Sequence, residues 1–176
     1  ILEAASAPQD GAPLTGPDGV IYPGTCRDLS KPAKMPEKTA LRLNMRKAVK
    51  AAVIFEETGP KMRGTITTTP ERFITEIGDI VLARRDMGTS YHLAVTVDDA
   101  AQGITDVIRG ADLFEATPIH VLLQRLLGLP TPRYHHHALI RDSAGKRLAK
   151  RDDARAISKY RQDGLSPADI RALIGL

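Results

Sequence analysis

Apolar and polar residues change their spacing several times along the chain, and each change marks a predicted element. Ser90 precedes a helix predicted over Tyr91–Gln102, in which Leu93, Ala94, Val97, Ala100 and Ala101 share one face before Gly103 stops it. Ile104–Arg109 is a short apolar run of the kind that forms a buried strand. Thr117-Pro118 opens a second helix, with proline where its missing N–H costs nothing. Its apolar face is Val121, Leu122, Leu126 and Leu127, and Gly128 ends it. Tyr134–Ile140 reads as a strand and Asp142–Gly145 as a turn. Asp152 is placed to cap a helix running to Gln162 before Gly164. Ser166-Pro167-Ala168-Asp169 caps a last helix whose face is Ile170, Leu173 and Ile174.

The pattern before residue 90 is different. Residues 1–36 are dense in proline and glycine and read as loop with short turns. Residues 40–89 look β-rich. Strands are expected at Ala40–Met45, Ala51–Phe55, Thr65–Thr69 (ending at Pro70) and Ile80–Arg84, with a turn at Asp86-Met87-Gly88. No internal repeat interrupts this order. The fold class expected is α/β.

Composition narrows the function without choosing it. At 176 residues the chain fits one domain or slightly more, and is long enough to bury a core. Its hydrophobic fraction of 42% and charged fraction of 26% are those of a soluble globular chain. No apolar run is long enough to span a bilayer, and no secretory leader is visible, so a cytoplasmic protein is expected. One cysteine excludes an internal disulfide scaffold and a four-thiolate zinc site. The net charge of +4 leans mildly toward nucleic acid or phosphates. The chain begins with Ile1, and Ile1-Leu2-Glu3-Ala4-Ala5 reads like the tail of a helix under way; processing, or excision from a longer chain, is expected.

Four groups of residues could carry chemistry. Arg141, Lys146, Arg147, Lys150, Arg151 and Arg155 surround the turn at Gly145, where two cations three apart could wrap a polyphosphate; a solvated basic hairpin tip explains the same pattern. Arg109 ends a short apolar strand beside Gly110, a position suited to a bidentate grip on a carboxylate, or to pairing with Asp106 or Asp112. His135-His136-His137 invites a metal reading, but strand alternation puts His136 on one side and its neighbours on the other, which argues against three ligands for one ion. Tyr22 and Cys26 make half a site at most, and a buried free cysteine beside a turn explains them as well. No G-x-G-x-x-G, P-loop or C-x-x-C is present.

Order and spacing of these segments resemble one family. Tyr91-His92-Leu93-Ala94-x-x-Val97-Asp98-Asp99, then Gly103-Ile104-Thr105-Asp106-Val107-Ile108-Arg109-Gly110, then Thr117-Pro118 before a leucine-rich helix, are similar to the later half of class I glutamyl-tRNA synthetase catalytic domains. Leu129-Pro130-x-Pro132-Arg133-Tyr134-x-His136 fits that family's next strand. Arg147-Leu148-Ala149-Lys150-Arg151 stands where the class carries its KMSKS loop. Within the family the chain most resembles the short branch that glutamylates queuosine in tRNA(Asp). Tyr22-Pro23-Gly24-Thr25-Cys26-Arg27 is similar to the second half of that branch's zinc motif, Val95 stands where full-length glutamyl enzymes more often carry Asn, and the chain ends at Leu176 without room for an anticodon-binding domain.

The resemblance implies the second half of a Rossmann-type catalytic domain with a β-rich insertion and C-terminal helices. Residues 1–77 would hold a zinc-region remnant and the insertion, 78–140 the second Rossmann half, and 141–176 the KMSKS-like loop and helices. It implies that Tyr91 and Arg109 bind glutamate, that Lys150 is catalytic and contacts ATP together with Arg147, and that Tyr22 and Cys26 are two of four zinc ligands. His136 matches a family position near the ATP cleft, with no role assigned. Implied partners are glutamate, ATP with Mg2+, and the anticodon stem-loop of tRNA(Asp), in a monomer. Arg147 and Ala149 depart from the Lys and Ser of KMSKS. The HIGH motif and an upstream C-x-C are absent and would precede Ile1, so this chain alone is expected to be inactive and to hold zinc weakly or not at all. Two other functions fit less of the pattern: part of an ordinary glutamyl-tRNA synthetase, and a non-enzymatic tRNA-binding module.

Overall fold

Among the described residues, strand pairing gives three sheets. The computed structural model describes residues 14–27, 39–84, 88–141, 145, 147 and 156–175. The chain divides into two compact units with a boundary between His137 and Ala138. In the first unit, β1 (Thr15–Gly16) and β2 (Gly19–Val20) form a small hairpin. A second sheet has the order β3-β6-β7, antiparallel throughout, with β3 at Ala40–Arg42, β6 at Val81–Arg84 and β7 at Gly88–Thr89. The third carries the site. Its order is β5-β4-β9-β8, from Gly64–Thr68, Val53–Glu57, Arg133–His137 and Asp106–Gly110. β5 runs antiparallel to β4, whereas the β4–β9 and β9–β8 pairs are parallel. The α/β class is therefore met, and β4 and β5, expected within an insertion, share a sheet with the later strands.

Several predicted strands are shifted or shorter, for local reasons. β3 stops at Arg42 because Asn44 caps a helical turn, α1 (Met45–Ala48), accepting the Lys47 N–H at 3.2 Å while Asp79 accepts the Met45 N–H at 2.8 Å. β4 begins two residues later than predicted, at Val53, because its inward positions are Val53, Phe55 and Glu57. Thr69 is not strand: its hydroxyl accepts from Arg72 and caps α2 (Pro70–Arg72), which runs into a wider helical turn at Phe73–Ile77. β9 is Arg133–His137, ending three residues before the predicted Ile140.

Helix boundaries follow the capping residues, but two predicted faces do not hold. α3 (Tyr91–Ala101) has Ser90 as its N-cap, yet its buried residue is Thr96, and Val97 is exposed. α4 (Thr117–Leu127) ends on Gly128 at φ 67°, the left-handed conformation that glycine adopts without strain. It buries Ile119, Val121, Leu122 and Leu123, while Leu126 and Leu127 stay about half exposed. β8 is not a two-sided buried strand either: Ile108 is 71% exposed. α3 packs on α4, and α4 on β4. The core gathers Phe55, Phe73, Ile119, Leu122 and Tyr134, with Phe55 set edge-on to Tyr134 at 5.4 Å.

In the second unit, Arg141 and Arg147 form an antiparallel bridge about Gly145, α5 spans Ile157–Gln162, and α6 spans Pro167–Leu173. The predicted capping box is present, with Asp169 accepting the Ser166 N–H at 2.8 Å and Ser166 accepting from Asp169 at 3.3 Å. Asp152 lies outside the described residues.

One tight point of the fold is Gly59, just past β4. A Cβ there would meet the His136 carbonyl oxygen at 2.5 Å, Glu57 Oε1 at 2.6 Å and the His136 nitrogen at 2.9 Å. Two of these are backbone atoms of β9 and cannot swing away. Gly59→Ala is expected to lower stability by about 1–3 kcal/mol through forced displacement of β4 from β9. Denaturant unfolding checks this, and an unchanged midpoint would contradict the close approach.

Candidate functional site

Three adjacent parallel strands end on polar side chains. Glu57 closes β4, His136 lies next to the last residue of β9, and Arg109 lies next to the last residue of β8, opposite His136 in register. On each strand the residue two positions earlier is apolar and faces the same way: Phe55, Tyr134 and Val107. The inward face of the sheet thus turns from aromatic and aliphatic to ionic at its carboxyl end, the end where open α/β sheets bind ligands.

Arg109 is the hub. Its Nε donates to His136 Nε2 at 3.1 Å, and its Nη2 donates to Thr117 Oγ1 at 2.7 Å. Nη1 meets His120 Nδ1 at 3.1 Å. The guanidinium also lies over the Tyr134 ring at 5.3 Å. Nη2 also donates to the Leu113 carbonyl oxygen at 3.5 Å, and Tyr91 hydrogen-bonds the same guanidinium. Half-burial pulls the Arg109 pKa down, and Tyr134, Tyr91 and Asp99 act in the other direction. Tyr91 is 58% exposed and shares in the interactions around that guanidinium, so the structure brings the predicted Tyr91 and Arg109 together. Asp106, a predicted alternative partner of Arg109, pairs with Arg133 at 2.8 Å.

Two arms run outward from the hub. On one side His136 Nδ1 meets Glu57 Oε2 at 2.5 Å, and Glu57 Oε1 accepts the N–H of Gly59 at 2.7 Å and of His136 at 2.9 Å. Glu57 is 1% exposed and His136 4%. Burial alone would raise the Glu57 pKa, but the His136 and Gly59 donors outweigh it and hold the carboxyl below its usual range. On the other side His120 Nε2 meets His92 Nδ1 at 2.8 Å, and His92 Nε2 meets Asp18 Oδ1 at 3.1 Å. Burial, then the Arg109 charge and the neighbouring imidazoles, push the His120 pKa down to about 3. His136 is lowered as well, by burial first, with Glu57 opposing. Both imidazoles are therefore neutral at pH 7.

The remaining predicted residues are elsewhere or not described. Lys150 lies outside the described residues, and Arg147 sits in the bridge of the second unit. Tyr22 and Cys26 do meet: the Cys26 N–H donates to the Tyr22 hydroxyl at 2.6 Å. Arg42 covers the Tyr22 ring at 4.9 Å, and Arg27 anchors the same loop to Asp79 at 2.9 Å. Burial, then Cys26, raise the Tyr22 pKa, which favours a protonated phenol and disfavours the deprotonated form a metal needs. Among the described residues no group of three or more His, Cys, Asp or Glu could hold a metal ion. Tyr22 and Cys26 as arranged do not fit a zinc site by themselves. The histidine run behaves as alternation requires, with His136 buried and His135 turned to Thr58 Oγ1 at 3.1 Å.

The residues that sequence reasoning missed are Glu57, Thr117, His120, His92 and Asp18. Only the run Val53–Glu57, alternating inward apolar positions and ending on a carboxylate, carried a signal for Glu57.

A half-buried arginine at the carboxyl end of parallel strands, beside an exposed tyrosine, stands where open α/β sheets bind ligands. The catalytic-domain family described as class I tRNA synthetases (E and Q) matches residues 22–176, and the chain belongs to it. Over its whole length the chain is 67% identical to Glutamyl-Q tRNA(Asp) synthetase of Rhodobacter capsulatus, of which it covers 63%. Proteins of the same name from Nocardia farcinica and Deinococcus radiodurans are 40% and 39% identical over 99% and 96% of the chain. The chain spans 63%, 51% and 53% of these three relatives. Among the described residues no helix is long and apolar enough to cross a membrane.

The low His120 pKa links the site to stability. Between pH 6.5 and about 3 the unfolded chain binds a proton at this residue that the folded chain refuses, so stability falls as pH drops through that window. One such histidine contributes about 2 kcal/mol of loss between its ordinary pKa and about pH 5. His120→Gln, which does not titrate, is expected to flatten that part of the acid slope in urea unfolding at a series of pH values. An unaltered slope would contradict the assignment.

Proposed function

We propose that this chain is part of an enzyme that activates glutamate with ATP and transfers it to the queuosine base of tRNA(Asp). The observation that carries the reading is the 67% identity, along the whole chain, to a relative named for that activity. The half-buried guanidinium of Arg109 beside the exposed Tyr91 supports it, since glutamate offers carboxylates to such a cation.

In this reading Arg109 grips a substrate carboxylate and Tyr91 hydrogen-bonds the same amino acid. The glutamate α-carboxylate oxygen attacks the α-phosphorus of ATP. The bond from that phosphorus to the bridging oxygen breaks, and pyrophosphate leaves with the charge. Lys150, assisted by Arg147, neutralises that charge as it develops. A nucleophile on the queuosine base then attacks the acyl carbon, and AMP leaves. Mg2+, typical of the family, would screen the triphosphate. The enzyme works as a monomer in the cytoplasm on the anticodon stem-loop. Residues 78–140 supply the amino-acid cleft and 141–176 the KMSKS-like loop.

A second reading, charging of the tRNA 3′ end, is favoured by the family's inclusion of the E and Q enzymes. The complete protein containing this chain separates the two when offered queuosine-containing tRNA(Asp) and tRNA(Glu) with labelled glutamate. Label on tRNA(Asp), and not on tRNA(Glu), is expected. In the same protein Lys150→Ala is expected to slow glutamate-dependent ATP–pyrophosphate exchange by about two orders of magnitude. Arg109→Lys is expected to raise the glutamate KM by about 10–100-fold with the ATP KM unchanged. Equal exchange rates in the variants would remove these residues from the mechanism.

Tyr22 and Cys26 are proposed as two zinc ligands of the complete protein, and no step depends on that metal. Metal analysis of the purified 176-residue chain is expected to give far less than one zinc per chain. Stoichiometric zinc that persists in Cys26→Ser would exclude the pair as ligands.

A further inference from the structure

We propose that Glu57 is a positioning residue which, through His136, fixes the direction of the His136–Arg109 hydrogen bond and so holds the guanidinium in place for a carboxylate ligand. The inference rests on the proposed reading only for the ligand's identity.

An arginine nitrogen only donates. His136 Nε2 receives the Arg109 Nε–H at 3.1 Å, so that nitrogen carries the lone pair and the ring proton sits on Nδ1. Nδ1 faces Glu57 Oε2 at 2.5 Å, and the ionised carboxylate accepts it. The other arm has the same polarity. His120 Nδ1 accepts from Arg109 Nη1, its Nε2–H donates to His92 Nδ1, and the His92 Nε2–H donates to Asp18. Every bond in the chain Glu57–His136–Arg109–His120–His92–Asp18 then points away from the one cation and toward a carboxylate. Moving either inner imidazole proton would set N–H against N–H at the guanidinium.

Glu57 is the group that decides His136. Both of its oxygens are used, and it has no solvent to turn to at 1% exposure. Glu57→Gln keeps the shape but presents an amide N–H2 either to His136 Nδ1 or to the backbone N–H groups of Gly59 and His136. In the first case His136 must shift its proton to Nε2, where it confronts Arg109. In the second, two backbone donors face a third. His120→Gln is the opposite kind of change, because its carbonyl can accept from Arg109 and its N–H2 can donate to His92. A polarity role therefore separates two near-isosteric substitutions that a packing role would treat alike.

Nitrogen-15 spectra of the histidine rings in the 176-residue chain at neutral pH test this directly. Expected are the Nδ1–H form for His136 and the Nε2–H form for His120 and His92. Glu57→Gln is expected to abolish the Nδ1–H form of His136 and to shift the Arg109 Nε–H resonance, whereas His120→Gln leaves both in place. An Nε2–H form of His136 in the unaltered chain would overturn the proposal, and so would a Glu57→Gln spectrum with the His136 and Arg109 signals unmoved. Should Glu57→Gln fail to fold, His120→Leu against His120→Gln asks the same question on the other arm: only the leucine variant should shift the Arg109 resonances, and equal shifts would overturn the proposal. In the complete protein, Glu57→Gln is expected to raise the glutamate KM about tenfold or more with the ATP KM unchanged. A glutamate KM unmoved by Glu57→Gln counts against the positioning role. No glutamate-dependent exchange from the unaltered complete protein, with the expected ring forms present, counts against the functional reading alone.

Discussion

A single cation shared among imidazoles sets the terms for the rest of this molecule. Arg109 cannot give up its proton, so the rings it touches must present lone pairs, and their own protons must find acceptors further out. The fold supplies those acceptors from distant places: Glu57 from β4 on one side, Asp18 from the β1–β2 turn on the other. Six elements converge on one guanidinium because the charge permits only one pattern of bonds around it.

That convergence depends on the parallel half of the sheet. Parallel pairing puts the carboxyl ends of β4, β9 and β8 side by side, and register places Arg109 opposite His136. Burying an ionised carboxylate such as Glu57 would cost several kcal/mol without partners. Here three N–H groups take that role, two of them from backbone that cannot rotate away. The aromatic layer beneath adds shape: Phe114 meets the His136 ring edge-on at 5.2 Å and Tyr134 stacks with it at 6.2 Å. A ring held on several sides has little freedom to turn its other nitrogen to Arg109.

Much of the local structure was legible in the residues, and the long-range part was not. Ser90, Gly128 and the Ser166–Asp169 pair mark helix ends by chemistry that acts within four residues, and all do so in the structure. The alternation that separates His136 from His135 and His137 is equally local. The buried face of α3 is harder to read, because Thr96 is buried by what packs on it and not by its own polarity. Glu57 ends a strand whose other inward positions are apolar. Its burial depends on His136, 79 positions later, and nothing in the spacing of β4 announces that pairing. His92 and His120 meet across two helices for the same reason. The order of motifs located Tyr91 and Arg109, and the hydrogen-bond partners that hold them needed the tertiary structure.

The clamp on Arg109 has an entropic side. A free arginine side chain gives up about 2 kcal/mol of rotamer entropy when it is fixed by a ligand. Contacts to His136, His120 and Thr117 remove most of that freedom when the chain folds. The loss is charged to folding stability, so a ligand of the proposed kind would meet a guanidinium already stilled, and its affinity would be set in part by the neighbours of the arginine.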